Sequence, residues 1–226
     1  MSVTLTRRRF LTGLMAGAGA GLAGCQPSAR GVYGAPQPAY LVEEVPDYGA
    51  IYGARLDGGY SLPPVDYLDF DPTLWRQRVH YPVGPAPGTV VVDPAAKFLY
   101  VVEPGGRAVR YGISVGRAGY SWQGEAVVGA KQVWPKWFPP AEMIARDPDL
   151  EIFRKGQEGG PTNPLGARAL YLWQGGRDTL YRIHGTNQPK SIGWDASSGC
   201  IRLWQQDIID LYDRVPMGAR VIVLSA

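Results

Sequence analysis

The 226-residue sequence predicts a mainly β domain, a sandwich or barrel with one or two short helices, preceded by a tether rich in proline and glycine. Short runs of β-branched and aromatic residues recur through the second half of the chain, separated by turn-forming residues. The 30 glycines and 20 prolines favour many turns over a helical bundle. A hydrophobic content of 45% at this length is enough for one good core.

The first 25 residues have the features of an export signal. Arg7, Arg8 and Arg9 precede a short glycine-rich apolar run, which resembles a twin-arginine signal and is too short for a permanent membrane helix. Leu22-Ala23-Gly24-Cys25 then resembles a lipobox, where a bacterial lipoprotein is cut and its new N-terminal cysteine is acylated. We therefore predict a lipid on Cys25 and a periplasmic protein anchored to the outer membrane, with the inner membrane as the alternative. Cleavage nearby by an ordinary signal peptidase, with Cys25 incidental, stays open.

Residues 26–86 are predicted to form a tether and docking segment. Residues 26–66 show no sustained helical or strand period, so we expect a tether without a core of its own. Residues 69–82 contain a turn at Asp71-Pro72 and apolar side chains that are expected to dock on the domain. His80 in this segment is interpreted as a surface or packing histidine.

Residues 87–226 form the predicted main domain. It opens with a hairpin of strands 88–93 and 98–102, and a third strand at 108–115 extends this into an antiparallel meander. A fourth strand is predicted at 125–133, a second hairpin at 169–173 and 179–184, and a final strand at 220–224. Apolar residues at 208, 211, 212 and 215 predict an amphipathic helix over 206–215. In strand 179–184, alternation places Leu180, Arg182 and His184 on one face, with His184 at the strand's end.

Residues 134–166 combine aromatic residues and prolines, a short helix at 141–146 and a glycine-rich loop. In one interpretation this segment is a lid or substrate platform over a cleft, in which Trp137 contacts the substrate. In the other, Trp134, Trp137 and Phe138 plug the end of the β core. The sequence supports the two interpretations equally.

A base and a nucleophile are sixteen positions apart, in the segments 184–187 (HGTN) and 197–203 (SSGCIRL). A thiol reacts as its thiolate, and an imidazole within hydrogen-bond reach can take its proton and later return it. With Cys25 lipidated, Cys200 is the single free thiol of an exported chain. A buried, inert cysteine is the usual alternative, but Gly199 and the upstream His184 argue against it.

The ordered combination of TVVVD, WPKWFPPAEMI, HGTN, SSGCIRL and a helix leading into VIVL resembles the L,D-transpeptidase (YkuD-fold) family over roughly residues 88–226. The resemblance implies Cys200 as nucleophile and His184 as general base, oriented by the main-chain carbonyl of Gly185. The backbone N–H groups of Gly199 and Cys200 are the implied oxyanion donors. The predicted substrate-binding residues are Arg202, Ser198, Thr186 and Trp137.

Two of these positions carry alternatives. A guanidinium at Arg202 suits a substrate carboxylate, but a structural salt bridge explains it equally well. Some family members have a histidine two residues before the nucleophile, where this chain has Ser198, to which we assign no acid/base role.

The resemblance implies acyl transfer on peptidoglycan. Cys200 attacks the third residue of a tetrapeptide stem, terminal D-Ala leaves with a proton from His184, and an amine resolves the thioester. The acceptor is another stem, giving a 3-3 cross-link, or an attached protein. The resemblance also implies that carbapenems acylate Cys200.

Other functions are open or disfavoured. A hydrolytic family member, such as an L,D-carboxypeptidase or an enzyme that releases wall-attached protein, and a noncatalytic wall-tethering lipoprotein both remain alternatives. A papain-like peptidase is disfavoured because its cysteine precedes its histidine. We expect no cofactor and no metal, since two cysteines and two histidines make a zinc site improbable. A net charge of +3 gives no case for nucleic acid.

Overall fold

The computed structural model describes residues 46–116, 122–197 and 199–225, which belong to one compact unit. The predicted export signal, the predicted lipidation site Cys25 and the predicted substrate-binding residue Ser198 lie outside the described residues. Among the residues described, no helix combines the length and apolar character needed to cross a membrane.

The domain is mainly β, as the sequence predicts, with a few short helices. The strands are β1 (Arg55–Asp57), β2 (Tyr60–Leu62), β3 (Gln77–His80), β4 (Val90–Asp93), β5 (Phe98–Glu103), β6 (Arg107–Gly112), β7 (Val115–Gly116), β8 (Gly124–Val133), β9 (Arg168–Gln174), β10 (Arg177–His184), β11 (Asp195–Ser197), β12 (Ile201–Arg202) and β13 (Arg220–Val223). The α-helices are α1 (Tyr48–Tyr52), α2 (Ala141–Arg146) and α3 (Gln205–Arg214). Short 3₁₀ helices span Tyr67–Asp69, Pro72–Leu74, Pro148–Phe153 and Pro189–Ser191.

Nine strands form the main sheet, in the order β12-β10-β9-β8-β13-β4-β5-β6-β3. Residues from both halves of this sheet and from α3 share one buried cluster, so the sheet curls around its core. The predicted meander and both predicted hairpins are confirmed. The last strand, β13, lies in the middle of the sheet, parallel to β4 and antiparallel to β8.

The predicted alternation in strand 179–184 holds only at its end. The pairing of β10 with β9 shifts register between Asp178 and Arg182. Leu180, within this irregularity, has a φ of 65° and is 75% exposed. From Arg182 onwards the strand is regular, and Ile183 is buried in the core.

The segment before the domain differs from the tether expected for residues 26–66. Residues 48–52 form α1, in which Asp47 caps the Ala50 N–H at 3.0 Å, and β1 and β2 form a hairpin. Tyr52 packs with Ile192 and Trp204 of the domain in an aromatic cluster. The segment has no core of its own, and it is structured because its aromatic side chains bury against the domain. Helical or strand periodicity within the segment does not indicate such a contact with a distant part of the chain.

The same segment adds a strand to the main sheet. β3 pairs antiparallel with β6 as the edge strand, with Val79 buried and His80 exposed. The β1–β2 hairpin is held by Asp57, whose carboxylate accepts two hydrogen bonds from Arg168, at 2.7 and 2.8 Å, and one from the Trp134 indole at 2.9 Å. We refer to residues 46–80 as the docked segment.

Candidate active site

A pair of parallel strands brings the two sequence motifs together. β10 pairs with β12 in the register Ile183 to Ile201 and His184 to Arg202. The two isoleucines point into the core, and the alternating side chains therefore point to the opposite face. Cys200, one residue before β12, contacts the main chain of Arg182, which continues this register. The sheet thus places Arg182, His184, Cys200 and Arg202 as neighbours on one face.

His184 is held as a neutral base. The residue is 4% exposed, and Nδ1 lies 2.6 Å from the carbonyl oxygen of Gly185. A carbonyl only accepts hydrogen bonds, so Nδ1 carries the proton and Nε2 carries the lone pair. Burial lowers the pKa of His184 to about 3, assisted by the positive charges of Arg202 and Arg182 and opposed by the bond to Gly185. The imidazole is therefore uncharged at neutral pH.

Cys200 is a free cysteine that is partly exposed. Burial raises the pKa of the thiol, and Asp178 raises it further. The Arg182 main chain and the charges of Arg182 and Arg202 lower it, without cancelling the burial. The thiol would therefore need a base to take its proton before it could react as a thiolate, the form that the two guanidinium charges favour.

Gly199 has a backbone conformation that glycine adopts readily. Its φ is 129°, in the region where a Cβ is strained, and the residue is buried. This conformation orients the peptide that leads into Cys200. The oxyanion role of the N–H groups of Gly199 and Cys200 stays a prediction.

The two arginines are themselves anchored. Arg182 donates to both carboxylate oxygens of Asp178, at 3.0 and 2.9 Å, and its guanidinium lies 4.5 Å from the centre of the Tyr171 ring. Arg202 donates to Oε1 of Gln188 at 3.2 Å, and its main chain bridges to Ser114. Arg202 therefore lies beside the predicted catalytic residues His184 and Cys200, and its binding of a substrate carboxylate stays a prediction. Arg182 was not among the predicted site residues. The alternation along β10, which places it on the same face as His184, is the sequence signal that could have identified it.

Gln205 is a positioning residue that the sequence analysis missed. Its Oε1 accepts the Ala167 N–H at 2.8 Å, and its Nε2 donates to the Thr186 carbonyl at 2.8 Å. A Cβ at Gly185 would lie 2.4 Å from this Oε1, so the glycine lets the loop close on the side chain. Gln205 thus holds the Thr186 carbonyl, one residue after the Gly185 carbonyl that accepts from His184. No local pattern in the sequence marks this residue, because its partners come from two distant loops.

The other predicted substrate-binding residues lie in different settings. Thr186 is 3% exposed, and its hydroxyl accepts the Gln188 N–H at 3.0 Å, so it shapes the loop after His184. Trp137 lies elsewhere, in the loop between β8 and β9, where its main chain pairs with Gln157 at 2.9 and 2.7 Å and its ring lies 6.4 Å from Phe153. Its contact with substrate stays a prediction.

The long loop between β8 and β9 is tied to the active-site motif. Buried Asn163 donates to three carbonyls at its base, at 3.0 to 3.2 Å, and Asn187 donates to the Thr162 carbonyl at 2.8 Å. Trp134 packs against Tyr60 of the docked segment, with ring centres 4.5 Å apart, whereas Phe138 is 60% exposed. Of the three aromatic residues, Trp134 anchors the loop and Phe138 does not plug the core. Within the part of the chain described, no three His, Cys, Asp or Glu side chains cluster to hold a metal ion.

Comparison of the chain with known proteins identifies a matching family. A model of the L,D-transpeptidase catalytic domain, YkuD, matches residues 87–223. The probable L,D-transpeptidase ErfK/SrfK of Escherichia coli K12 is 39% identical over 143 residues, which cover 60% of this chain and 44% of that protein. The chain therefore spans less than half the length of this relative.

Two solved structures are also similar. A Brucella melitensis protein, named a probable carnitine operon oxidoreductase caia, is 51% identical and covers 70% of this chain and 99% of its own, with a TM-score of 0.48. L,D-transpeptidase 3 of Mycobacterium tuberculosis is 18% identical and covers 61% of this chain and 60% of its own, with a TM-score of 0.45. At TM-scores below 0.5, neither structural similarity assigns a function to this chain.

Proposed function

The chain belongs to the YkuD family of L,D-transpeptidase catalytic domains, and on this premise we propose that it is a peptidoglycan L,D-transpeptidase with Cys200 as its nucleophile. The observation that carries the proposal is the parallel pairing of β10 with β12, which makes Cys200 and His184 neighbours on one face of the sheet.

The first half of the reaction forms a thioester. Sγ of Cys200 attacks the carbonyl carbon of the third stem residue while Nε2 of His184 takes the thiol proton. Negative charge develops on the carbonyl oxygen, which the N–H groups of Gly199 and Cys200 are proposed to bind. The intermediate then collapses, the bond to terminal D-Ala breaks, and the imidazolium of His184 protonates the leaving amine.

The second half transfers the acyl group. An acceptor amine attacks the thioester carbon, His184 takes a proton from this amine, and the thiol of Cys200 leaves with a proton returned by the imidazole. The acceptor is the side-chain amine of another stem, which gives a 3-3 cross-link, or an amine on a protein. Water in place of the amine would make the enzyme a hydrolase.

A location also follows from the sequence. We propose that the protein is exported and anchored by a lipid on Cys25 to the outer membrane, or alternatively to the inner membrane. The arginines at 7–9 and the lipobox at 22–25 support this. Acylation would appear as lipid mass on the mature N-terminal peptide, and its absence from the wild-type protein would refute the anchor.

The reaction is tested by the products formed from purified disaccharide-tetrapeptide. We expect wild-type protein to yield a dimer lacking one D-Ala, and Cys200→Ala, with an unchanged melting temperature as its control, to yield none. Tripeptide without dimer would replace the proposal with the hydrolytic alternative. Tetrapeptide left unchanged by a wild-type protein whose Cys200 reacts with a carbapenem would refute peptidoglycan stems as the acceptor.

A further inference from the structure

A cavity of about 370 Å³ lies between the docked segment and the loop that joins His184 to Cys200. We propose that this cavity binds a saccharide, the glycan part of the strand whose stem peptide reacts at Cys200. This inference rests on the proposed function, since it names a further part of the same substrate. Three segments line the cavity, residues 69–74, 96–98 and 192–194.

The cavity is coupled to the reacting residues by main-chain bonds. Gly193 donates to the Ile113 carbonyl at 3.0 Å, and the Trp194 carbonyl accepts the Val115 N–H at 3.3 Å. Ser114, between them, exchanges two main-chain bonds with Arg202, at 3.0 and 2.8 Å. Residues 114 and 115 lie between β12 and the strand that follows Trp194, and adjacent strands are about 4.8 Å apart, so about 10 Å separates Trp194 from β12. An extended tetrapeptide spans about 14 Å, so the stem peptide of a glycan in the cavity can reach Cys200, one residue before β12.

Aromatic rings form one part of the lining. Trp194 is 70% exposed and offers an open ring. Phe70 is held edge-on by Trp204, with ring centres 5.0 Å apart, and Phe98 lies 4.3 Å below the Arg110 guanidinium. The C–H faces of a pyranose pack against such rings, which combine a large apolar area with fixed geometry.

Charged groups form the other part. Asp69 and Asp71 are exposed, and Asp71 also caps the Thr73 N–H at 2.8 Å. Lys97 Nζ lies 3.0 Å from the Asp195 carboxylate and donates to the Pro94 carbonyl at 2.6 Å. Lys97 has a φ of 63°, a strained conformation for a residue with a Cβ. Carboxylates accept from sugar hydroxyls, and the ammonium donates to hydroxyl or N-acetyl oxygens.

The combination of aromatic rings and charged groups in the lining favours one class of ligand over others. A purely apolar ligand would remove water from the charged groups and offer no hydrogen bond in exchange, which costs free energy. A polyanion would be repelled by the two carboxylates. A neutral ligand with hydroxyl and amide groups on apolar rings, such as an N-acetylated oligosaccharide, matches both parts of the lining.

Direct binding gives the first test. We expect N-acetylglucosamine tetramer to bind the wild-type protein in calorimetric titration, and Trp194→Ala and Asp69→Asn each to weaken binding at least about tenfold, or 1.4 kcal/mol. Met217→Ala, which removes an exposed side chain from the turn after α3, is the matched control and should bind as wild type. Absence of binding to the wild type, or equal affinity in Trp194→Ala, would overturn the proposal.

Turnover separates this proposal from the proposed function. Wild-type protein should show a lower KM for disaccharide-tetrapeptide than for the free tetrapeptide, and Trp194→Ala should bring that ratio close to one. A ratio unchanged by the substitution would refute the glycan site. If the wild type turns over neither substrate, the proposed function fails, and the titration still decides whether the cavity binds saccharide.

Discussion

Around His184, two arginine side chains and complete burial act in the same direction on the imidazole. Both lower its pKa, which is about 3, while the bond from Nδ1 to the Gly185 carbonyl acts against them. Burial also raises the pKa of the Cys200 thiol. Burial therefore favours the uncharged form of each group, a thiol at Cys200 and an imidazole at His184. Arg182 and Arg202 lower the pKa of both groups, so they favour a thiolate at Cys200 and disfavour an imidazolium at His184.

The pH dependence of acylation tests this electrostatic arrangement. An ordinary imidazole, with a pKa of 6.5, would protonate as the pH falls below neutrality, but His184 should stay neutral well below that value. We expect the rate of Cys200 acylation by a carbapenem, followed as a mass adduct, to hold steady from neutral pH down to about pH 5. Arg202→Gln removes the second largest cause of the shift, so the acid limb should move to higher pH while remaining below the ordinary value.

Arg220→Gln is the control for that experiment, because Arg220 is an exposed arginine on β13 paired with Glu125. Circular dichroism must be measured at each acidic pH to verify that the protein is still folded. The depressed pKa of His184 means that its contribution to stability is complete above pH 6.5 and is lost as the pH falls toward about 3. An acid limb at the same pH in wild type and Arg202→Gln would contradict the assignment of Arg202.

Helix α3 connects the catalytic loops to the rest of the domain. Gln205, at its start, spans the Ala167 N–H and the Thr186 carbonyl. The next residue, Gln206, faces the other way and donates to the Gly53 and Pro63 carbonyls of the docked segment, at 3.2 and 3.0 Å. Two adjacent glutamines on one helix therefore serve different neighbours. One holds the loop that orients His184, and the other holds the docked segment.

We expect Gln205→Ala to lower kcat by about tenfold or more with little change in KM. Two hydrogen bonds of about 0.5–1.5 kcal/mol each are lost, so the loop that carries the Gly185 carbonyl loses its anchor at the neighbouring Thr186 carbonyl. Gln205→Glu keeps an acceptor for Ala167 but cannot donate to Thr186, so it should also be impaired. Steady-state kinetics on disaccharide-tetrapeptide give the measurement.

Gln206→Ala is the matched control for this helix position. It removes the same chemical group from a residue that does not contact the catalytic loops, so it should lower the melting temperature and leave kcat near that of the wild type. A Gln205→Ala protein with reduced stability and unchanged kcat would show that Gln205 is only structural.

The docked segment makes the folded molecule larger than the region that matches the family. It supplies the edge strand β3 and buries Trp204, which is fully covered, under Tyr52 and Phe70. It also covers Asp207 of α3, a fully buried carboxylate 3.3 Å from the Tyr52 hydroxyl and 3.7 Å from Nε of Arg76. Burial raises the pKa of Asp207 to about 7, although Arg76 lowers it.

A chain that begins at residue 87 should therefore be much less stable than a chain that begins at residue 46. Exposure of a large aromatic side chain costs about 1.5–3 kcal/mol, and the shorter chain exposes Trp204 and loses the pairing of β3. These losses are large compared with a typical folding free energy of about 5–15 kcal/mol. We expect the melting temperature to fall by more than about 10 °C, or folding to fail.

Thermal unfolding of the two purified chains measures this difference, and the chain beginning at residue 46 serves as the control for removal of the N-terminal region. Melting temperatures within a few degrees of each other would contradict an essential structural role for residues 46–86.

Local patterns were enough for several features of this protein. The strands of the meander and hairpins, helix α3 and the position of His184 at the end of β10 follow from periodicity and turn residues, which are properties of neighbouring positions. The family follows from short motifs in a fixed order, which can be recognised without knowledge of the fold. The candidate pair was therefore identified from the sequence alone.

Other features required the tertiary structure. The structure of residues 46–80, the central position of β13, the double contact of Gln205 and the cavity beside Trp194 all depend on residues far apart in the chain. The low pKa of His184 likewise results from burial and from the charges of Arg182 and Arg202. The sequence determined which chemical groups are present and which local elements they form. The packing of distant segments decided their neighbours and exposure, because desolvation, charge interaction and hydrogen bonding depend on distance in space rather than on position in the chain.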